Sequence, residues 1–105
     1  KGERLRSLLL KYKSENKKIC AFSYPAKATT LCSFFNIGDL FDYVVDDSPF
    51  KQNRFTPQFH KKIVDREFFY KDNPDVAVIL AYNFADDIRK SNSNYKGEFV
   101  NPFEV

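Results

Sequence analysis

Methionine and tryptophan are absent from this 105-residue sequence, glycine occurs three times, cysteine twice and histidine once. Each shortage removes a class of chemistry. With glycine confined to Gly2, Gly38 and Gly97, no Walker-type phosphate loop can form. The GxGxxG dinucleotide fingerprint is excluded on the same ground, because it needs glycines where the backbone approaches a pyrophosphate directly after the first strand. One histidine and two separated cysteines are too few for a nitrogen-and-sulfur zinc site. A Ser-His-Asp triad could use only His60, and no nucleophile-elbow motif accompanies it. Asp42, Asp46 and Asp47 lack the spacing of a calcium loop, so no metal site is expected. No apolar run approaches the ~20 residues needed to span a bilayer, and no signal-peptide pattern is present, so no membrane partner is expected. The missing methionine at Lys1-Gly2 leads us to expect a segment of a longer chain.

What is present suits one small domain covering residues 1–105. Hydrophobic residues make up 43% of the chain, with twelve Phe and six Tyr, which implies an aromatic core. A domain of this length buries roughly 65% of its unfolded surface, so it depends readily on neighbours. The formal charge of +3 is modest. The one lysine group, Lys11, Lys13, Lys17 and Lys18, lies where a helix should end and cations suit its dipole, which reads as a solvated face and not a nucleic-acid surface. Cys20 and Cys32 sit in apolar settings outside any CxxC pair, as expected of buried free thiols in a reducing cytoplasm.

Along the chain, Leu5, Leu8, Leu9 and Tyr12 recur at helical spacing and predict an amphipathic helix over residues 3–16. Residues 18–22 read as a buried strand, 23–27 as a turn, and 26–36 as a helix closed near Gly38. Residues 42–46 form a second strand. Residues 47–60 contain two prolines and no clear period, a length at which loops are usually functional or disordered, and their aromatics favour order. A short strand at 62–64 and a short helix or turn at 65–71 follow. The unbroken apolar run at 75–82 fits a central parallel strand buried on both faces. Asn83 then resembles an N-cap, with Asp86 at N3, of a helix reaching about Asn92, before a last strand at 97–100. This order predicts an α/β fold, an open and mainly parallel sheet with helices on both faces, preceded by an amphipathic N-terminal helix.

Ligands of such sheets sit beyond the carboxyl ends of the strands, where residues 23–27, 46–60 and 82–86 fall. Lys27 at a helix start suits an anion, with the Thr29 and Thr30 hydroxyls one turn on; it is equally an ordinary surface lysine. Lys51, Gln52 and Arg54 offer cations and an amide to phosphate and sugar hydroxyls, or form a solvated loop. Asp46 suits a sugar hydroxyl or a turn cap, and Asn83 a ligand or a helix cap. His60, the only group titrating near neutrality, is open to general-base and structural roles alike.

Taken together, several segments resemble the C-terminal domain of bacterial S-adenosylmethionine-dependent nucleotide-sugar C-methyltransferases. The resemblance runs through residues 21–36 with Pro25-Ala26-Lys27 and Thr30-Leu31, through Asp42-Tyr43-Val44-Val45-Asp46 and Pro49-Phe50-Lys51-Gln52. It continues in Arg54-Phe55-Thr56-Pro57 with His60, Pro74-Asp75, and Asn83-Phe84-Ala85-Asp86-Asp87-Ile88. The chain departs from the family where glycines are usual. Ser23, Tyr24 and Ala28 stand around the first turn, Asn53 follows the Lys-Gln pair, and Gln58-Phe59 stand within the Pro-Gly-Thr-His-like stretch.

The resemblance implies a Rossmann-like domain over residues 18–105 with residues 1–17 as a lead-in helix. It also implies a longer enzyme in which a zinc-binding region and a central methyltransferase domain precede it. The glycine turn that holds S-adenosylmethionine is missing here, so that cofactor and the zinc are expected in the other domains, with none in this chain. This domain would help enclose a nucleotide-linked deoxy-keto-sugar against the central domain, and would be inactive alone. Lys27, Lys51 and Arg54 would meet phosphate or nucleotide, while Tyr24, Thr29, Asp46, Gln52, Thr56, His60 and Asn83 would line the cleft. A scaffold that packs on a catalytic partner without binding ligand is the alternative.

Overall fold

The computed structural model describes residues 2–105. Helix α1 (Gly2–Ser14) leads into strand β1 (Ile19–Phe22), helix α2 (Ala28–Phe35) and strand β2 (Tyr43–Val45). Strand β3 (Ile63–Val64), helix α3 (Arg66–Asp72), strand β4 (Val76–Ile79), helix α4 (Ala85–Ser91) and strand β5 (Glu98–Val100) complete the chain. All five strands are parallel, in the order β3-β2-β1-β4-β5. That is the order of the first five strands of a doubly wound nucleotide-binding sheet.

Alternation along each strand sorts the core into two layers, since successive side chains point to opposite faces. Ile19, Ala21, Val44, Ile63, Val76, Val78 and Val100 face one way, where they pack with Leu5 and Leu9 of α1 and with Ala28, Cys32 and Phe35 of α2. Cys20, Phe22, Tyr43, Val45, Val64 and Ala77 face the other way, against Phe69 of α3, Tyr95 and the half-buried Ile88 of α4. β1 and β4 are buried at every position, which is why neither shows a polar-apolar alternation in the sequence. The second layer is aromatic: Phe22 meets the edge of Phe69 at 5.0 Å, and Tyr95 lies 4.7 Å from Phe69.

Both cysteines are free and buried. Three of the four clustered lysines are paired with carboxylates: Lys13 with Asp42 at 2.8 Å, Lys17 with Glu15 at 3.5 Å and Lys18 with Asp72 at 2.8 Å. Asp42 and Asp75 also accept the Ile19 and Lys18 backbone N–H groups, which fixes the entry of β1. No described helix is long and apolar enough to cross a membrane.

Several boundaries differ from the sequence expectation. α2 begins at Ala28, because residues 25–27 form a turn in which the Pro25 carbonyl accepts the Ala28 N–H at 2.9 Å. It ends on Asn36, whose left-handed backbone (φ 56°) does the work expected of a glycine near position 38. Gly38 instead opens a short 3₁₀ turn, Gly38–Leu40, and a methyl group there would meet the Phe59 ring at 2.5 Å. Asn83 does not cap α4. It lies inside a 3₁₀ turn, Tyr82–Phe84, and the capping position falls to Phe84, which has no side-chain acceptor. Asp65, by contrast, is a true cap: its carboxylate accepts the Phe68 N–H at 2.9 Å at the start of α3.

Candidate functional site

β1 and β4 are neighbours, but the chain leaves β1 toward β2 on one side and leaves β4 toward β5 on the other. Loops that diverge in this way open a crevice at the carboxyl end of the sheet. On one wall stands the β1–α2 turn. Ser23 turns the chain with a left-handed backbone (φ 72°) and donates its N–H to the Val45 carbonyl at 2.6 Å. Ala28, Cys32 and Phe35 anchor α2 on the sheet, leaving Lys27 and Thr30 exposed beside Leu31. The other wall is the end of β4 with the 3₁₀ turn after it. Between them lies a cleft of about 410 Å³ lined by Pro25, Ala26, Lys27, Thr30 and Leu31 and by Leu80, Ala81, Tyr82, Asn83 and Phe84. Lys27 is the one charged side chain in that lining.

A second grouping lies beside the first wall, built around Asp46 at the end of β2. Its Oδ2 accepts the Tyr24 N–H at 3.1 Å and its Oδ1 the Ser48 N–H at 2.9 Å. Its carbonyl accepts the Gln52 side-chain amide at 3.1 Å. Lys51 donates from Nζ to the Tyr24 carbonyl at 2.9 Å and stands 3.5 Å from Asp46 Oδ2. Tyr24 itself is core, 7% exposed, with its hydroxyl 2.9 Å from the Thr29 hydroxyl. Burial pushes the Tyr24 phenol up from its usual range, so it stays protonated at neutral pH. Tyr24, Thr29, Asp46, Lys51 and Gln52 thus tie the β1–α2 turn to the β2 loop.

The third grouping is the remainder of the long loop, which is ordered. It runs back along β3 and covers that strand's outer edge: Asn53 donates to the Ile63 carbonyl, and Ile63 donates to the Arg54 carbonyl. A bridge between Phe55 and Lys62 extends the pairing. Thr56 is 1% exposed, and its hydroxyl accepts the Lys61 N–H at 2.9 Å. His60 is exposed, with φ 54°, and donates its backbone N–H to the Thr56 carbonyl. Arg54 is exposed. Among the described residues neither side chain makes a hydrogen bond or ion pair.

The candidate residues therefore fall into three places. Lys27 and Asn83 line the cleft, five others form the Asp46 tie, and Arg54, Thr56 and His60 belong to the loop along β3. Leu31, Leu80 and Phe84 supply much of the apolar lining, although the sequence gives none of them a binding role. Apolar types read as core, and only the exposure of Phe84 (60%) beside a strand end hints otherwise. Among the described residues no group of three or more His, Cys, Asp or Glu is arranged to hold a metal ion.

Comparison with protein families gives a match to the C-methyltransferase C-terminal domain over residues 2–103. The chain belongs to this family. The comparison with curated proteins returns no match. In this C-methyltransferase C-terminal domain, three positions at which the resemblance would place glycine carry a left-handed backbone. Ser23 has φ 72°, Asn53 64° and Gln58 65°. Tyr24 and Ala28 do not share that conformation; both are buried.

Proposed function

We propose that this domain holds the nucleotide-linked deoxysugar of an S-adenosylmethionine-dependent sugar C-methyltransferase, enclosing it against the methyl-donor domain. The observation that carries the proposal is the cleft at the switch point of the sheet, apolar along most of its lining and bearing the single cation Lys27. Apolar walls with a few placed polar groups are the usual composition of a small-molecule site, and a lone ammonium suits a phosphate.

The residues present do not fit S-adenosylmethionine itself. The turn after β1 carries the buried Tyr24 and the half-buried Pro25, with no glycine. The carboxylate at the end of β2, which would hold a ribose, is occupied by two backbone N–H groups and faces Lys51. Nor do one His and two buried Cys fit zinc. This chain's part is then binding and enclosure. The methyl-transfer chemistry would be supplied by the other domain.

The test is an NMR titration with a pyrimidine-diphosphate deoxysugar. Shifts are expected to cluster at residues 25–31 and 80–84, and Lys27→Ala to weaken binding about tenfold, the ~1.5 kcal/mol of one charge-assisted hydrogen bond. Absence of such shifts, both here and in a protein carrying the methyl-donor domain, would refute it.

The Asp46 tie favours a second reading, a non-binding domain that packs on a catalytic partner. It leaves Asp46, Lys51 and Gln52 already bonded, and elsewhere Phe34 and Phe103 stand exposed while each meets the buried Phe35 ring at 5.1 Å. On that reading, Lys27→Ala and Lys51→Ala leave the complete enzyme's substrate affinity unchanged.

A further inference from the structure

We propose that a second pocket, on the opposite face of the sheet from the cleft, is a binding site for an uncharged sugar ring. This site goes beyond the function proposed above and does not rest on it, since no residue lines both.

The pocket lies between α3, strands β2 and β3 and the loop that follows β2, and holds about 420 Å³. Tyr43 and Val64 form its floor and belong to the aromatic layer of the core, whereas Leu31 and Leu80 of the cleft pack with the other layer. Phe68, 46% exposed, is the apolar wall and meets the Tyr43 ring edge-on at 5.1 Å. The Tyr43 hydroxyl donates to Asp72 at 2.7 Å, which holds that ring in place.

Polar groups of both kinds surround this apolar patch. Asn53 is exposed, and its side-chain amide, which both donates and accepts, makes no hydrogen bond among the described residues. The exposed Lys62 ammonium is likewise unpaired among the described residues. Asp65 uses one oxygen to accept the Phe68 N–H, and Asp42 uses one for both Lys13 Nζ and the Ile19 N–H. Each carboxylate therefore keeps an oxygen for an incoming hydroxyl. Gln52 donates its amide to the Asp46 carbonyl and keeps only its side-chain carbonyl.

That mixture selects the ligand. Asp42 is paired with Lys13 at 2.8 Å, and Lys62 offsets Asp65, so the rim carries no net charge. An anion would face two carboxylates, and a cation would meet Lys62 and a carboxylate that is already paired. A purely apolar ligand would cover Asn53, Lys62 and Asp65 without giving them partners. A pyranose meets both demands. The C–H groups of its face can lie on the Phe68 ring, while the hydroxyls of its edge donate to Asp42 and Asp65 and accept from Asn53 and Lys62. The rim is also held in place, because the Asn53 N–H donates to the Ile63 carbonyl at 2.9 Å and Asp65 caps α3, so little order is lost on binding.

The experiment is an NMR titration of this chain with the methyl glycosides of glucose, galactose and mannose, with arginine amide and cyclohexanol as controls for charge and apolar bulk. At least one glycoside is expected to give saturable shifts at residues 42–43, 52–53 and 62–68, with a dissociation constant on the order of 1 mM, as usual for a ligand of this size. Both controls are expected to bind about fivefold more weakly or worse. Phe68→Ala removes the platform, and Asn53→Gly removes the amide while keeping a residue suited to the left-handed backbone. Each is expected to weaken the glycoside about threefold or more, with the spectrum away from the pocket unchanged. Arginine amide or cyclohexanol matching the glycosides would overturn the proposal, as would glycoside shifts at residues 25–31 and 80–84 in place of the pocket. So would the absence of saturable shifts with every glycoside, or unchanged affinity in both variants. The nucleotide-linked sugar is read at the cleft residues, so either proposal can fail alone.

Discussion

Replacing Asp46 by alanine separates a structural carboxylate from a ligand-binding one. In the folded chain its two oxygens accept the Tyr24 and Ser48 N–H groups at 3.1 and 2.9 Å, with Lys51 Nζ at 3.5 Å. The side chain is 12% exposed, so solvent replaces these partners incompletely. A hydrogen bond to a charged group contributes about 1.5–3 kcal/mol. The Lys51 pair, with a lysine that is 43% exposed, adds at most about 1 kcal/mol. Ser48 lies where water can reach its N–H once the carboxylate is gone, which recovers part of one bond. The expected loss is therefore about 2–4 kcal/mol, or a fall in Tm of roughly 10–25 °C for a domain of this size. Asp46→Asn keeps one acceptor and is expected to lose about half as much. Urea unfolding followed by far-UV circular dichroism reads the difference directly, with an unchanged slope confirming the same unfolding reaction. A loss below about 0.5 kcal/mol for Asp46→Ala, the range of an ordinary surface change, would refute the tie and return Asp46 to the pool of free ligand-binding groups.

Three further outcomes follow from single features. Ser23→Gly relieves a left-handed backbone on a residue with a Cβ and is expected to raise stability by about 0.5–1 kcal/mol in the same urea assay, whereas Asn53→Gly stays near neutral because asparagine tolerates that region. Burial pushes the Asp72 carboxyl up, but hydrogen bonds from Lys18 Nζ and the Tyr43 hydroxyl outweigh it and hold it below its usual range. Its contribution is full above the ordinary carboxylate value of about 3.9 and is lost as pH falls through the lower folded value, so Asp72→Asn should flatten the acid limb of a stability-pH curve. Burial pushes the Cys32 thiol up to about 12 and raises Cys20 as well, so native protein should leave a thiol reagent unreacted at pH 8 and titrate two thiols only in denaturant.

Much of the fold is legible in the residues because burial writes it there. Leu5 and Leu9 mark the inner stripe of α1, and the apolar run through Val76–Ile79 marks a strand with no solvent face. The boundaries are less legible, since the determining conformation belongs to residues that tolerate several. Asn36 serves as the left-handed cap where Gly38 was the obvious choice, and a 3₁₀ turn displaces Asn83 from the helix start. The site is the least legible part. Asp46, Lys51 and Gln52 have the right chemistry for a ligand, but a sequence does not show whether the chain itself takes up that capacity. Here it does so through Tyr24, which lies 22 positions from Asp46 and 27 from Lys51, and through the Asp46 carbonyl, which accepts from Gln52. Conversely, Leu31 and Leu80 are indistinguishable in sequence from core residues, and only the divergence of the chain after β1 and β4 makes them the walls of a cleft. Ser23, Asn53 and Gln58 carry left-handed backbones on residues other than glycine, so the turns they make are not announced by glycine in the sequence.

The central claim, that the switch-point cleft is where this C-methyltransferase domain meets its nucleotide-linked sugar, is tested most directly by chemical-shift mapping with a pyrimidine-diphosphate deoxysugar on the native chain and on Lys27→Ala. The expected result is saturable shifts at residues 25–31 and 80–84 that need about ten times more ligand in the variant. Saturable binding mapped to the loop at residues 46–60, or identical affinity in the two proteins, would contradict it.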